Sequence, residues 1–433
     1  MKFIPVKGTR DFYPDAMRMR NWIADTWRRV SLRNGFEEYD SPIFEYLDLF
    51  TAKSGPQIAS ELFNVIDRGG RNLAIRPEIT PSLARMVNDK INALPRPIKW
   101  FSIPRLCRAE NTQKGRLREF FQWNADIIGP QDELADAECV LTAVDAMREF
   151  GLTSSDVKVR YSSRELLSEV LESFGISGQA AAGVMAVLDK RKKLPADKFD
   201  AMFSEAVDDP DAIKGILRFL DAGTIDDSAS SAEIAASIGL NASEKALAAI
   251  AKLQAFGGHL KSFGIADWCC YDTEIVRGLA YYTGIVYEVL DAKQELRAIA
   301  GGGRYDSLLE VLGGPSVAAS GFGMGDVVLG ILLEKKQLVG DLADRVDVFV
   351  ADADSELFGD VISLVGRLRS SGLAAEFSYK RQNIGKQLKQ ADRRGARKAI
   401  ILGPDGAVIK DMASGEQTAC DIEAILADPT SIM

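Results

Sequence analysis

From Phe121 to Asp126 apolar and polar residues alternate without a break: Phe121-Gln-Trp-Asn-Ala-Asp126. A period of two commits this segment to a strand, because successive side chains leave a strand on opposite faces. Gln122, Asn124 and Asp126 therefore share one face. Just upstream, Arg108, Lys114, Arg116 and Arg118 form a compact cationic hairpin with Gly115 near its bend. A planar guanidinium makes paired, charge-assisted hydrogen bonds to phosphate oxygens. Hairpin and strand together suit a nucleoside triphosphate lying beside a small polar molecule. An amphipathic hairpin with a solvated charged turn is the competing reading of this segment taken alone.

Four further clusters lie around it. Ile75-Arg-Pro-Glu-Ile-Thr80 is upstream, and Arg277-Gly-Leu-Ala-Tyr-Tyr-Thr-Gly284 leads into the strand pattern Val286-Tyr-Glu-Val. Ala300-Gly-Gly-Gly-Arg-Tyr-Asp306 and Gly321-Phe-Gly-Met-Gly325 follow, the latter ahead of an apolar run from Val327 to Leu333. Singly, each glycine cluster reads as a turn or a close backbone approach. None fits a dinucleotide fingerprint or a Walker loop, since the spacing differs and no Lys-Ser/Thr pair follows.

Composition narrows the chemistry. The length of 433 residues exceeds one core and implies two or three domains. The 46% hydrophobic and 27% charged content is that of a soluble globular protein. No apolar run approaches the ~20 residues of a membrane span, and the N-terminal sequence lacks the apolar core of a signal peptide. Five cysteines without a Cys-x-x-Cys argue against a disulfide framework or zinc site and fit a reducing cytoplasm. The single histidine, His259, leaves no basis for a multi-histidine metal site or a Ser-His-Asp hydrolase, and reads as a surface or turn residue. The net charge of −9 is a weak guide to partners, because binding follows the local field. From Lys380 to Lys398 eight Lys/Arg face one acid, Asp392: a patch able to neutralise phosphates, or a solvated helix face.

Along the chain, residues 15–36 read as an amphipathic helix carrying Met17, Trp22, Ile23, Trp27 and Val30. Strand-like runs alternate with turns from about 40 to 130; 132–150 is helical and Val157–Tyr161 a strand. An Ala-rich helical insertion over about 170–256 shows no recognisable chemistry. A linker over 331–344 separates residues 1–330 from 345–433, where strands at 346–350, 374–377 and 399–402 alternate with helices at 356–370 and 384–394. That alternation predicts a small α/β domain with a largely parallel sheet.

In this order the clusters resemble a class II aminoacyl-tRNA synthetase, specifically the histidyl-tRNA synthetase family. Gly8-Thr-Arg-Asp-Phe-Tyr-Pro14 matches the family's start, and Tyr39-Asp-Ser-Pro-Ile-Phe-Glu45 its first motif, whose proline lies at a dimer interface. The Arg108 segment resembles the second motif; Arg277-Gly-Leu-Ala-Tyr-Tyr and Gly302-Gly-Arg-Tyr-Asp306 resemble the two histidine-specific motifs. The resemblance covers nearly the whole chain apart from its middle. It implies an α/β fold: an α+β catalytic domain on the class II antiparallel sheet, interrupted by the helical insertion, and a C-terminal α/β anticodon-binding domain. It implies joining of histidine to ATP, with Mg2+ as counter-ion and no protein-bound metal, then transfer to tRNA(His) by a cytoplasmic homodimer without a membrane partner.

By the same resemblance Arg108 would hold the α-phosphate, Arg116 the outer phosphates, with Glu110 and Arg304 completing the ATP site. Arg277 would act opposite Arg108, where other class II enzymes use a metal; Arg277 and Arg108 are thus the catalytic candidates. Glu78, Thr80, Gln122, Asp126, Arg277, Tyr281, Tyr282 and Tyr305 would bind histidine, one of the two adjacent tyrosines facing the pocket and the other the core. Two positions depart from the family pattern. Ala280 stands for an acid, and Val328 stands where the third motif ends in an arginine that packs on adenine and reaches the γ-phosphate. Both departures favour an alternative, a non-catalytic paralogue such as the regulatory subunit of ATP phosphoribosyltransferase. The retained arginines and the basic C-terminal domain favour the ligase.

Overall fold

The computed structural model describes residues 3–54, 62–191, 194–221, 229–277, 281–343, 346–380 and 382–428. The chain divides into two compact units, Met1–Gly340 and Asp341–Met433.

The first unit begins with a helix, Pro14–Arg33, that has proline in its first turn, Asp15 at its positive end and Arg33 at its negative end. Ile23, Trp27 and Val30 recur at helical spacing and are buried, whereas Met17 stays exposed. Trp27 stacks on Trp123 at 6.0 Å, and the Trp123 indole donates to Ser31 Oγ at 2.9 Å. This contact clamps the apolar face of the Glu119–Ile128 strand onto the helix. The face carrying Gln122, Asn124 and Asp126 must then point the other way.

That strand lies inside a nine-stranded sheet among the described residues. Its order is Glu37–Glu38, Ile98–Ser102, Glu119–Ile128, Ala319–Gly325, Ala300–Arg304, Ile285–Asp291, Val157–Ser163, Cys269–Tyr271, with Arg105–Cys107 pairing off the path onto Glu119–Ile128. The Glu37–Glu38/Ile98–Ser102 and Val157–Ser163/Cys269–Tyr271 pairs at its two edges are parallel; the pairs between them are antiparallel. The expected antiparallel class II sheet is present. The glycine clusters at 301–303 and 321–325 are not turns: they lie inside two central strands, Ala300–Arg304 and Ala319–Gly325.

Helices from Arg164–Ser173 to Glu244–Ser262 occupy the middle of the chain. Their apolar residues, among them Leu167, Phe203, Ile216 and Phe256, belong to the same core cluster as Trp27, Trp123 and Tyr287. His259 lies in the last turn of Glu244–Ser262, so it is a helical residue rather than a turn residue. The helix Asp326–Lys335 runs across position 331, where the linker was expected to start; Leu329, Leu332 and Leu333 are buried and hold it in the first unit's core.

The second unit carries a sheet ordered Ala375–Phe377, Val348–Asp352, Lys398–Gly403, Gly406–Asp411, Gln417–Cys420. The first three strands are parallel, as the alternating pattern predicts; the last two add an antiparallel extension that the sequence reading did not include. Helices Phe358–Ser370 and Ile384–Arg393 connect the parallel strands.

Candidate active site

Two adjoining cavities open over the glycine strands. The smaller, about 260 Å³, is lined by Glu78, Thr80, Gln122, Asp126, Arg277, Tyr281, Tyr282 and Tyr305, the full set expected to hold a small polar substrate. The larger, about 550 Å³, is lined by Arg108, Glu110 and Arg116. Arg108, Gln122, Arg277 and Glu288 line both, so they stand where the cavities meet.

The floor exists because three strand positions lack a Cβ. A methyl on Gly321 would come within 2.0 Å of Asp126 Oδ1, and one on Gly323 within 2.7 Å of Gln122 Nε2. One on Gly301 would meet the Arg277 guanidinium at 2.3 Å. Gly321 pairs with Asp126, and Gly301 with Glu288, across the sheet. The glycines thus let long polar side chains from neighbouring strands lie flat over the sheet.

In the smaller cavity the Tyr305 hydroxyl donates to Asp126 Oδ1 at 2.5 Å, and both residues are buried. Tyr281 Oη lies 3.5 Å from Glu78 Oε2. Burial, reinforced for Tyr305 by the Asp126 carboxylate, raises the phenol pKa values of Tyr281 and Tyr305 well above their ordinary range, so both remain hydrogen-bond donors. Tyr281 and Tyr282 both line this cavity, with ring centroids 4.7 Å apart. The expectation that one of them faces the core fails, because the pair precedes the Ile285–Asp291 strand and does not share its alternation.

Arg277 has left-handed backbone, φ +58, a conformation disfavoured for a residue with a side chain. Its Nη1 donates to Glu288 Oε1 at 2.6 Å and its carbonyl accepts from Arg164 Nη1 at 3.1 Å. Burial opposes its charge, yet Glu288 and the neighbouring tyrosines hold its pKa above the ordinary value. Arg108 is held separately: Nε donates to the Pro77 carbonyl at 3.0 Å, and its guanidinium lies 5.2 Å from the centre of the Phe120 ring. The hairpin bends at Gly115, φ +79, where Gln113 and Arg116 bridge, and Arg116 pairs with Glu110. Gly8 accepts from the backbone of Arg118 and Glu119, while Arg10 pairs with Asp326 at 2.6 Å. The opening motif thereby ties the hairpin base to the first turn of the helix Asp326–Lys335.

Arg304 departs from its expected place. It lines neither cavity and is buried in ion pairing with Asp136 at 2.6 Å, with the Asp132 carbonyl accepting from it at 2.5 Å. Strand alternation explains this: Arg304 projects from the sheet face opposite to the cavities, against the helix Leu134–Glu149. It is withdrawn from the ATP ligands. Val328 does line the larger cavity and supplies an apolar wall there. Ala280 lies outside the described residues.

Polar residues outside the sequence motifs also join the walls, among them Glu288, Asp189 and Arg297. Glu288, within Val286-Tyr-Glu-Val, could have been found from alternation opposite the glycine strand. Asp189 reaches both cavities from the end of helix Gly178–Leu188, so the helical segment contributes to the site it was expected merely to interrupt. Arg297 enters the larger cavity from the loop before Ala300–Arg304 and carries no motif of its own. Among the described residues no group of three or more His, Cys, Asp or Glu is placed to hold a metal ion. No single described helix is long and apolar enough to cross a membrane.

Residues 8–325 match the sequence pattern of the family described as histidyl-tRNA synthetase, and residues 346–427 that of the anticodon binding domain. The chain belongs to the histidyl-tRNA synthetase family. It is 39% identical over 418 residues to the chloroplastic/mitochondrial histidine–tRNA ligase of Arabidopsis thaliana, covering 95% of this chain and 84% of that one. With the histidine–tRNA ligase of Opitutus terrae it shares 40% identity over 405 residues, 93% of this chain and 91% of the relative. Its fold is that of the histidyl-tRNA synthetase from Nostoc sp. PCC 7120, with a TM-score of 0.79 at 24% identity over 100% of this chain and 99% of the other. The apo enzyme of S. aureus superposes with a TM-score of 0.74, again at 24% identity, over 99% of each chain.

Proposed function

We propose that this chain is a histidine–tRNA ligase: it joins histidine to ATP, releasing pyrophosphate, and passes the histidyl group to tRNA(His). The observation that carries the reading is the shared wall between the cavities, where Arg108 and Arg277 stand on one junction. A carboxylate oxygen of histidine attacks the α-phosphorus there; a P–O bond forms and the bond to the β-phosphate breaks. Negative charge gathers on the α-phosphate oxygens, and guanidinium groups already fixed in place stabilise it without reorganising. Arg108 would hold the α-phosphate from one side and Arg277, oriented by Glu288, from the other. Arg116 would meet the outer phosphates; Glu110 orients it.

In the smaller cavity Asp126 would accept from one imidazole nitrogen and Tyr282 would meet the other. Glu78, Thr80 and Gln122 would take the amino and carboxylate groups, with Tyr305 fixing Asp126. A site built from such groups rejects apolar analogues strongly, because its buried polar atoms would be left unpaired. Magnesium would enter as the counter-ion of ATP.

A homodimer would cover the small sheet that includes the first motif: Ile43, Phe44, Tyr46, Val65 and Ile66 are exposed in the single chain. All five cysteines are free, which suits a reducing compartment such as the cytoplasm. In the second unit, Lys386, Lys389 and Arg393 lie at three- and four-residue spacing on one exposed face of Ile384–Arg393. That face would meet the tRNA backbone. The regulatory-paralogue reading is weaker: Val328 favours it, but the curated relatives are ligases and the larger cavity keeps its arginines. Charging of tRNA(His) by the purified protein tests the reading. Histidine-specific charging is expected; histidine binding without charging or adenylate formation would favour the paralogue.

A further inference from the structure

Six arginines line the larger cavity: Arg108, Arg116, Arg160, Arg191, Arg277 and Arg297. Four of them neutralise a carboxylate. Arg116 pairs with Glu110, Arg160 with Asp272 at 2.8 Å, Arg191 with Asp221 at 2.9 Å and Arg277 with Glu288 at 2.6 Å. Arg108 and Arg297 have no carboxylate at ion-pairing distance among the described residues. Among the described residues Arg297 donates to a neutral amide, Gln113 Oε1 at 3.2 Å, at the tip of the cationic hairpin. Its loop is fixed from below, because Asp291 accepts from the backbone of Glu295 at 3.1 Å and of Leu296 at 2.9 Å. Burial and then the nearby Arg116 charge lower the Arg297 pKa, and the Glu110 carboxylate, which pairs with Arg116, only partly offsets them.

Val328 sits against the same hairpin: its Cγ2 would lie 3.3 Å from a Cβ on Gly115. It offers a phosphate no donor. On the reading that this cavity holds ATP, we propose that Arg297 binds the outer phosphates together with Arg116, supplying the cation that Val328 lacks. Arg108 and Arg297, which form no ion pair among the described residues, then divide the triphosphate: the inner phosphate falls to Arg108 and the outer ones to Arg297 with Arg116. The Gln113 contact ties the hairpin tip to the loop that carries Arg297.

Calorimetric binding of ATP and of AMP to the full chain and to its Arg297→Ala and Arg297→Lys variants tests this, with histidine-dependent pyrophosphate exchange measured on the same samples. Loss of a charge-assisted phosphate contact predicts about tenfold or greater weakening of ATP binding in Arg297→Ala. AMP, which lacks the outer phosphates, should bind with unchanged affinity, and Arg297→Lys should fall between. An unchanged ATP affinity, or equal weakening of ATP and AMP, would overturn the assignment. Absence of exchange in the unaltered chain would overturn the ligase reading instead, leaving the ATP-to-AMP ratio to decide the Arg297 contact.

Discussion

Arg277 and Arg304 show how the same residue type takes opposite roles in one sheet. Arg277 lies over Gly301 at the junction of both cavities, its charge held by Glu288. Arg277→Ala should leave folding intact and lower the rate of adenylate formation by about 10²–10³, the cost of removing one preorganised donor. Circular dichroism together with exchange kinetics checks this, and near-normal exchange would contradict the assigned role. Arg304 is 7% exposed and neutralises Asp136, which is fully buried. Burial outweighs that partner and pushes the Asp136 carboxyl up to about 6. Arg304→Ala would strand this acid in the core and should cost about 3–5 kcal/mol of stability. ATP affinity in the folded fraction should stay unchanged; a selective loss of ATP affinity with normal denaturant stability would restore Arg304 to the nucleotide site.

The strands decide which side chains can meet. Gly321→Ala would place a methyl within 2.0 Å of the Asp126 carboxylate, which Tyr305 already fixes. The expected outcome is at least about tenfold weaker histidine binding with ATP binding retained, since the clash falls on the smaller cavity. Titration calorimetry with each substrate checks it, and equal loss of both would place the damage in the sheet at large. Much of this element-level design was legible beforehand. Alternation placed Gln122 and Asp126 on one face, and helical spacing placed Trp27 and Val30 in the core. The polar pocket residues were legible through resemblance, because ordered motifs mark positions that spacing alone does not connect. Three things were not. The glycines stood open as turns or as close backbone approaches, because both leave the same mark in a sequence, and only the strands select the second. Arg304 was assigned to the site because its motif gives proximity along the chain but not the strand face. Asp189 and Arg297 come from segments without periodicity or motif, and only the fold brings them to the cavities.

At the scale of the molecule, the proposed chemistry falls in the first unit, and the match to an anticodon binding domain falls in the second. Within the second unit Arg394 pairs with Glu376, Arg397 with Asp347 and Lys398 with Asp411, so part of the basic run is already neutralised. Lys386, Lys389 and Arg393 are exposed without an ion pair among the described residues. Replacing all three by Glu should raise the KM for tRNA by about tenfold or more and flatten its salt dependence, as loss of phosphate contacts requires. Exchange of pyrophosphate should be unaffected; an unchanged KM for tRNA would remove this face from recognition. In the first unit, the junction of the two cavities is where we place formation of histidyl-adenylate despite Val328. Histidine-dependent exchange of labelled pyrophosphate into ATP by the purified chain tests it most directly. Exchange is expected with histidine and none with other amino acids. Histidine binding without any exchange would contradict it.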